Sequence, residues 1–192
     1  MKLIVRVGRV GIAFFLAASS AWALSPKEVY QKSGPAVVLI MGSDGQGGGA
    51  GTGSIVTSDG KVITNAHVAI NEEGQAFKTI YVFLKPPKIS GDNAKDLANR
   101  FKAKVLAYSP KDELDLAVLQ IENGPAKLQS IAFADPDKVE IGDEVVAIGH
   151  PEMGGLWTLT TGTVSTVIAN FERVKGKNVF QTEASLNRGN SG

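Results

Sequence analysis

The chain has 192 residues, of which 43% are hydrophobic and 20% charged, with no cysteine and a formal net charge of +1. That length suits one large domain or two small ones, and the composition excludes a disordered chain. Near-neutral charge removes the electrostatic case for a nucleic-acid partner, and the lack of cysteine excludes a cystine-stapled scaffold.

Met1 to Arg9 carries Lys2, Arg6 and Arg9 and no acid; a short apolar run from Gly11 to Ala18 follows, and then Ala21-Trp22-Ala23. A basic start, an apolar middle and a small-x-small site make residues 1–23 a secretory signal peptide, cleaved after Ala23. The apolar run is shorter than the ~20 residues a bilayer span needs, so no membrane association is expected after cleavage. Loss of the three bases takes the mature chain to −2. The bacterial periplasm is the simplest destination.

Ser25-Pro26-Lys27-Glu28 predicts a short helix that ends near Gly34-Pro35, because Ser caps and Pro fits the first turn. Ala36 to Met41 is a continuous apolar run, expected as a strand buried on both faces. Gly45 to Gly53 is glycine-rich. Gly45, Gly47 and Ala50 match the spacing of a dinucleotide fingerprint, but that motif needs a helix next, and Ser54-Ile55-Val56-Thr57 reads as a strand. A flexible loop between strands is the expectation for these glycines. Ser58 to Lys61 then turns the chain into Val62-Ile63-Thr64, giving a hairpin.

Lys78 to Leu84 is predicted as a strand with Ile80, Val82 and Leu84 alternating against Tyr81 and Phe83, stopped by Pro86-Pro87. Lys88 to Arg100 reads as a surface insertion with a short helix around Asn93 to Ala98, and no chemistry is evident in it. Ala103 to Tyr108 and Leu116 to Ile121 are two more strands. Past a linker near Gly124 come Val145 to Gly149, then Leu156 to Ile168 with a bulge or bend expected at Gly162, then Asn178 to Thr182. No repeat stands out. The pattern is all-β in two halves.

Three side chains stand out chemically. Asn187-Arg188-Gly189-Asn190-Ser191-Gly192 sets a serine among small residues whose backbone can turn tightly and approach a substrate. A serine hydroxyl is a weak nucleophile until a base takes its proton. His67, in Thr64-Asn65-Ala66-His67-Val68, is the candidate base. The other histidine, His150, precedes Pro151 at a strand end and is expected to face a cleft or solvent. Asp115, directly before the apolar run Leu116 to Leu119, is the candidate orienting carboxylate; the alternatives Asp112 and Glu113 read as turn residues on a solvated face. The order His, Asp, Ser differs from that of nucleophile-elbow hydrolases and of subtilisins, and is the order of the chymotrypsin-like double barrel. No cysteine or paired-histidine motif suggests a metal centre, and no cofactor is implied.

Four motifs in this order resemble HtrA/Deg-type trypsin-like serine proteases, over roughly Pro26 to the end. Gly51-Thr52-Gly53-Ser54-Ile55 with Thr64 to Val68 is similar to the family's first barrel, and Asp115-Leu116-Ala117-Val118-Leu119 to its aspartate motif. Gly149-His150-Pro151 with Thr161 to Ser165 is similar to its second-barrel signature, and Gln181 to Ala184 into Asn187 to Gly192 to its nucleophile motif.

The resemblance implies a double β-barrel: residues 24–124 as the N-terminal segment and first barrel, residues 125–192 as a partial second barrel. It implies Ser191 as nucleophile, His67 as base, Asp115 as its orienting partner, and the N–H groups of Gly189 and Ser191 as the oxyanion hole. It puts Ser185, with Leu186 beside it, at the floor of the primary specificity pocket, where no charge would pair with Lys or Arg. Substrates would be unfolded polypeptides cut after small or medium apolar residues, and the family often forms homotrimers.

The family's second barrel has six strands and this chain offers about four candidates, so a portion of a longer protein is expected. Residues 24–192 alone are expected to be poorly soluble and nearly inactive. A gated, chaperone-like peptide-binding module on the same fold is the competing function.

Overall fold

The computed structural model describes residues 24–192 apart from Gln46 and Met153; the leader expected over residues 1–23 lies outside the described residues. The chain opens on helix α1, Pro26–Ser33. Ser25 accepts from Glu28 N while the Glu28 carboxylate accepts from Ser25 N at 2.8 Å, a reciprocal cap that satisfies donors the first turn leaves free. No helix among the described residues is long and apolar enough to cross a membrane.

Six strands follow: β1 Val37–Ser43, β2 Gly48–Ile55, β3 Lys61–Thr64, β4 Thr79–Leu84, β5 Arg100–Ser109 and β6 Leu116–Ile121. They close into an antiparallel barrel in the order β1-β2-β3-β6-β5-β4, with β1 pairing β4 to seal it. Helix α2, Ala66–Ala69, leaves the end of β3, and α3, Asn93–Asp96, sits in the connection between β4 and β5. Strands β7 Glu144–Gly149, β8 Thr158–Ile168 and β9 Val179–Thr182 form a separate antiparallel sheet.

The continuous apolar run in β1 has a simple cause. Val38 and Ile40 point into the barrel core with Ile55, Val62, Val82 and Leu119. Val37 and Leu39, on the opposite face, are also buried, and β1 lies against β7 there. The strand therefore separates two packed layers, which excludes water from both of its faces.

Three expectations are corrected. The glycines are not a loop: from Gly48 onward they form β2, fully registered with β1 from Val37↔Ser54 to Ser43↔Gly48. Their cause is space, since a Cβ on Gly53 would lie 2.6 Å from Ile40 Cδ1 and 2.7 Å from Val62 Cγ1. The irregularity in β8 falls between Val164 and Thr166, not at Gly162. Gly162 stays in register opposite Val145 and is small because Ala184 crosses it, its N only 2.5 Å from where a Cβ would be. The second half shows three strands among the described residues rather than four.

The insertion between β4 and β5 is ordered by Asp96, which is buried and accepts from the N–H and Oγ of Ser90 and the N–H of Gly91.

Candidate active site

His67 is the second residue of α2, set at the barrel rim by β3, and Asp115 is the residue that leads into β6. Because β3 and β6 are paired, Thr64↔Ala117, the two loop ends are brought side by side. The contact is double. Asp115 Oδ2 lies 2.8 Å from His67 Nδ1, and Oδ1 accepts from the His67 main-chain N–H at 3.1 Å. A carboxylate only accepts, so Nδ1 carries a proton, and in the neutral imidazole Nε2 is the atom left with a lone pair. The His67 side chain is 38% exposed and that of Asp115 14%, so the imidazole edge stays open while its partner is covered.

Asp115 sits at φ 54°, a left-handed conformation unusual for a residue with a side chain. Asn65 Nδ2 donates to its carbonyl at 2.8 Å and its own N–H donates to Pro110 O at 3.0 Å, so both ends of the strained residue are held. Asp112 lies in the turn just before it and is exposed, as is Glu113.

Ser191 is docked onto β2. Thr52 N donates to Ser191 O at 2.7 Å, and Thr52 Oγ1 donates to Gly189 O at 2.8 Å. A Cβ on Gly51 would lie 2.8 Å from Ser191 O and 2.5 Å from Cγ2 of Val68, the residue after His67. The structure thus brings the Ser191 main chain beside the helix that carries the imidazole. Among the described residues no hydrogen bond joins Ser191 Oγ to His67, and the N–H groups of Gly189 and Ser191 donate to no protein acceptor. Glu152 N holds Arg188 O at 2.9 Å; since the peptide is trans, this turns the Gly189 N–H the opposite way.

His150 faces neither cleft nor solvent. It is 5% exposed, stacked edge-on against Trp157 at 4.7 Å, with Nδ1 3.1 Å from Thr52 Oγ1. Burial pushes its imidazole down to about 4. Trp157 is itself buried, its Nε1 donating to Val37 O at 2.8 Å and its carbonyl accepting from Tyr30 OH at 2.9 Å. Thr52, Asn65, His150 and Trp157 form the support of this region, and sequence reasoning gave none of them that part. The polar Thr52 inside a glycine-rich stretch was the one available signal.

Ser185 is exposed, its carbonyl accepting from Thr160 Oγ1 at 3.1 Å, and Leu186 is 54% exposed beside it. The preceding Glu183 carboxylate accepts from Thr163 N, Thr163 Oγ1 and Ser165 Oγ, each at 2.8 Å. The Thr163 and Ser165 hydroxyls, with main-chain N–H groups, hold it at about 2. It pins the irregular stretch of β8 to the segment that leads to Ser191. Beside His67, which itself lines it, a groove of about 730 Å³ is bounded by Ile70, Phe77 and Tyr108 with Glu72, Glu73 and Asp112. Among the described residues no group of three or more His, Asp or Glu is placed to hold a metal ion.

A closed six-stranded antiparallel barrel joined to a second β-sheet, with a carboxylate-held histidine on the first and a serine loop on the second, is the layout of trypsin-like peptidases. The chain belongs to that family: its trypsin-like peptidase domain model matches residues 51–192. The chain is 40% identical over 146 residues to the periplasmic pH-dependent serine endoprotease DegQ of Escherichia coli, covering 75% of this chain and 28% of DegQ. It is 36% identical over 160 residues to the periplasmic serine endoprotease DegP of the same organism, covering 79% of this chain and 30% of DegP. The chain thus spans less than a third of the length of these relatives. A solved structure of the HtrA-type protease AlgW with a tripeptide superposes with a TM-score of 0.69 at 26% identity, covering 88% of this chain and 49% of that one.

Proposed function

We propose that the protein is an exported serine endopeptidase of the bacterial periplasm that hydrolyses peptide bonds in unfolded or misfolded polypeptides. The observation that carries this is the doubly hydrogen-bonded His67–Asp115 pair, with Nε2 left as an open lone pair. The names of the DegP and DegQ relatives support both the reaction class and the compartment.

In this reading Ser191 Oγ attacks the scissile carbonyl carbon as His67 Nε2 takes its proton. The C–N bond then breaks as the imidazolium returns that proton to the leaving amine, leaving an acyl ester on Ser191. Water repeats the sequence and frees the acid. Asp115 holds the tautomer and stabilises the imidazolium. The N–H groups of Gly189 and Ser191 receive the oxyanion; one such donor is typically worth about 10²–10³ in rate. Ser185 and Leu186 give the primary pocket an uncharged floor, so cleavage follows small or medium apolar residues. Residues 24–124 and 125–192 act as the two halves of the hydrolase, after removal of residues 1–23, and a homotrimer is the working assembly.

An active-site-directed fluorophosphonate on the full-length protein tests the reading. Labelling at Ser191, lost in both Ser191→Ala and His67→Ala, is the expected result. A folded protein that takes no label overturns it in favour of a gated peptide-binding module. A peptide panel cut mainly after Arg or Lys overturns the pocket assignment.

A further inference from the structure

The Thr52 hydroxyl is 97% buried by residue and is surrounded by three polar partners. It lies 2.8 Å from Gly189 O, 3.2 Å from His150 N and 3.1 Å from His150 Nδ1. A threonine hydroxyl has one proton and two lone pairs. The His150 main-chain N–H can only donate, and Gly189 O can only accept. All three contacts are hydrogen bonds in one arrangement alone: Thr52 gives its proton to Gly189 O and takes Nδ1–H from the imidazole. His150 is then neutral with Nδ1 protonated, and its Nε2 is a bare acceptor. Nε2 is buried without a hydrogen-bond partner, so the tautomer is fixed from the Nδ1 side.

The consequence reaches the nucleophile. Peptide 189–190 is held at both ends, its carbonyl by Thr52 Oγ1 and its N–H by Asn187 O at 3.1 Å. Peptide 191–192 is held by Thr52 N at Ser191 O. The Ser191 N–H lies between these two fixed planes. One residue therefore clamps the Gly189 and Ser191 carbonyls, and the direction of the hydroxyl clamp is set by the imidazole behind it.

We propose that Thr52 is a positioning residue for the peptide hydrolysis proposed above, fixing the Ser191 loop through a hydroxyl whose proton His150 directs onto Gly189 O. Trp157, edge-on to the imidazole and tied to Val37 O, keeps that ring from turning. Thr52 touches no substrate and exchanges no proton with Ser191; its effect is on where the serine and its N–H point.

Three forms of the full-length protein test this: wild type, Thr52→Val and Thr52→Ser. The readouts are the fluorophosphonate labelling rate at Ser191, kcat and KM on an apolar peptide substrate, and the imidazole ¹⁵N spectrum of His150. Valine keeps the shape and the main-chain clamp but removes the hydroxyl. Labelling rate and kcat are expected to fall about 10²-fold in Thr52→Val with KM nearly unchanged, the size of effect a misplacement of about 1 Å produces. Thr52→Ser is expected to restore both, and wild-type His150 to show the Nδ1–H tautomer. Equal labelling of wild type and Thr52→Val overturns the proposal while leaving the hydrolase intact. So does a serine variant as slow as the valine one, or an Nε2–H tautomer in wild type. Wild type that takes no label sinks the hydrolase reading itself, and this proposal with it.

Discussion

Asp115 holds His67 at two points, its side-chain ring at 2.8 Å and its main chain at 3.1 Å. One contact fixes the tautomer and the other fixes the start of α2, so the carboxylate orients the imidazole and the helix together. Asp115→Asn keeps the shape but offers an amide that can point its NH₂ at Nδ1. The expected outcome is a fall in kcat of about 10³–10⁴, with KM little changed, as found when the equivalent tautomer control is lost elsewhere. Steady-state kinetics on a peptide substrate checks it. Asn65→Ala, which removes only the donor to the Asp115 carbonyl, is expected to cost about 1–2 kcal/mol of stability in urea titration.

His150 gives the fold an acid sensitivity. Its ordinary value of 6.5 applies in the unfolded chain, and burial lowers it to about 4 in the folded one. Below pH 6.5 the unfolded state therefore binds a proton that the folded state refuses. The stabilisation is complete above pH 6.5 and is lost as pH falls from there to about 4, on the order of 3 kcal/mol in all. Glu183 acts lower: its carboxylate, held at about 2 against an ordinary 4.5, contributes above 4.5 and loses that contribution only below it. Urea midpoints measured across this range should fall first in the His150 window. His150→Asn should flatten that part of the profile and leave the more acidic part in place.

Among the described residues Trp157 is the largest fully buried side chain, and its ring N–H satisfies a β1 carbonyl. Trp157→Ala is expected to cost about 3–5 kcal/mol through the cavity it leaves. Trp157→Phe fills most of that space but strands Val37 O, and should cost about 1–3 kcal/mol. Calorimetry of both variants separates packing from the hydrogen bond.

Gly51→Ala tests the close approach of β2 to the site. The new methyl would meet Val68 at 2.5 Å and Ser191 O at 2.8 Å, and Val68 is completely buried and cannot swing aside. About 1–3 kcal/mol of destabilisation is expected. Because the two neighbours belong to the histidine helix and the serine loop, labelling of Ser191 should fall about 10²-fold as well.

Strands such as β6 were legible because Leu116 to Ile121 is a short, mostly apolar run, and α1 because Ser25, Pro26 and Glu28 form a local start signal. The motifs around His67 and Asp115 put the two side chains forward, and the structure sets them within hydrogen-bonding distance of each other. What could not be read depends on non-local packing. β2 is a strand because Ile40, Val62 and Val68 leave no room for side chains there, and composition alone makes the same glycines a loop. His150 lies inside because Trp157 and, from 98 residues away in the chain, Thr52 close over it. The irregularity in β8 depends on Glu183, which arrives from the far side of β9.

In the barrel, β6 is the strand that fits between β3 and β5. A chain that emerges from its N-terminus leaves both of those edges open until residue 121 has appeared, and Asp115 is carried on the very segment that fills the gap. The imidazole at 67 therefore lacks that partner until the segment carrying residue 115 is in place. Closing that gap and supplying the partner of the imidazole are therefore one event.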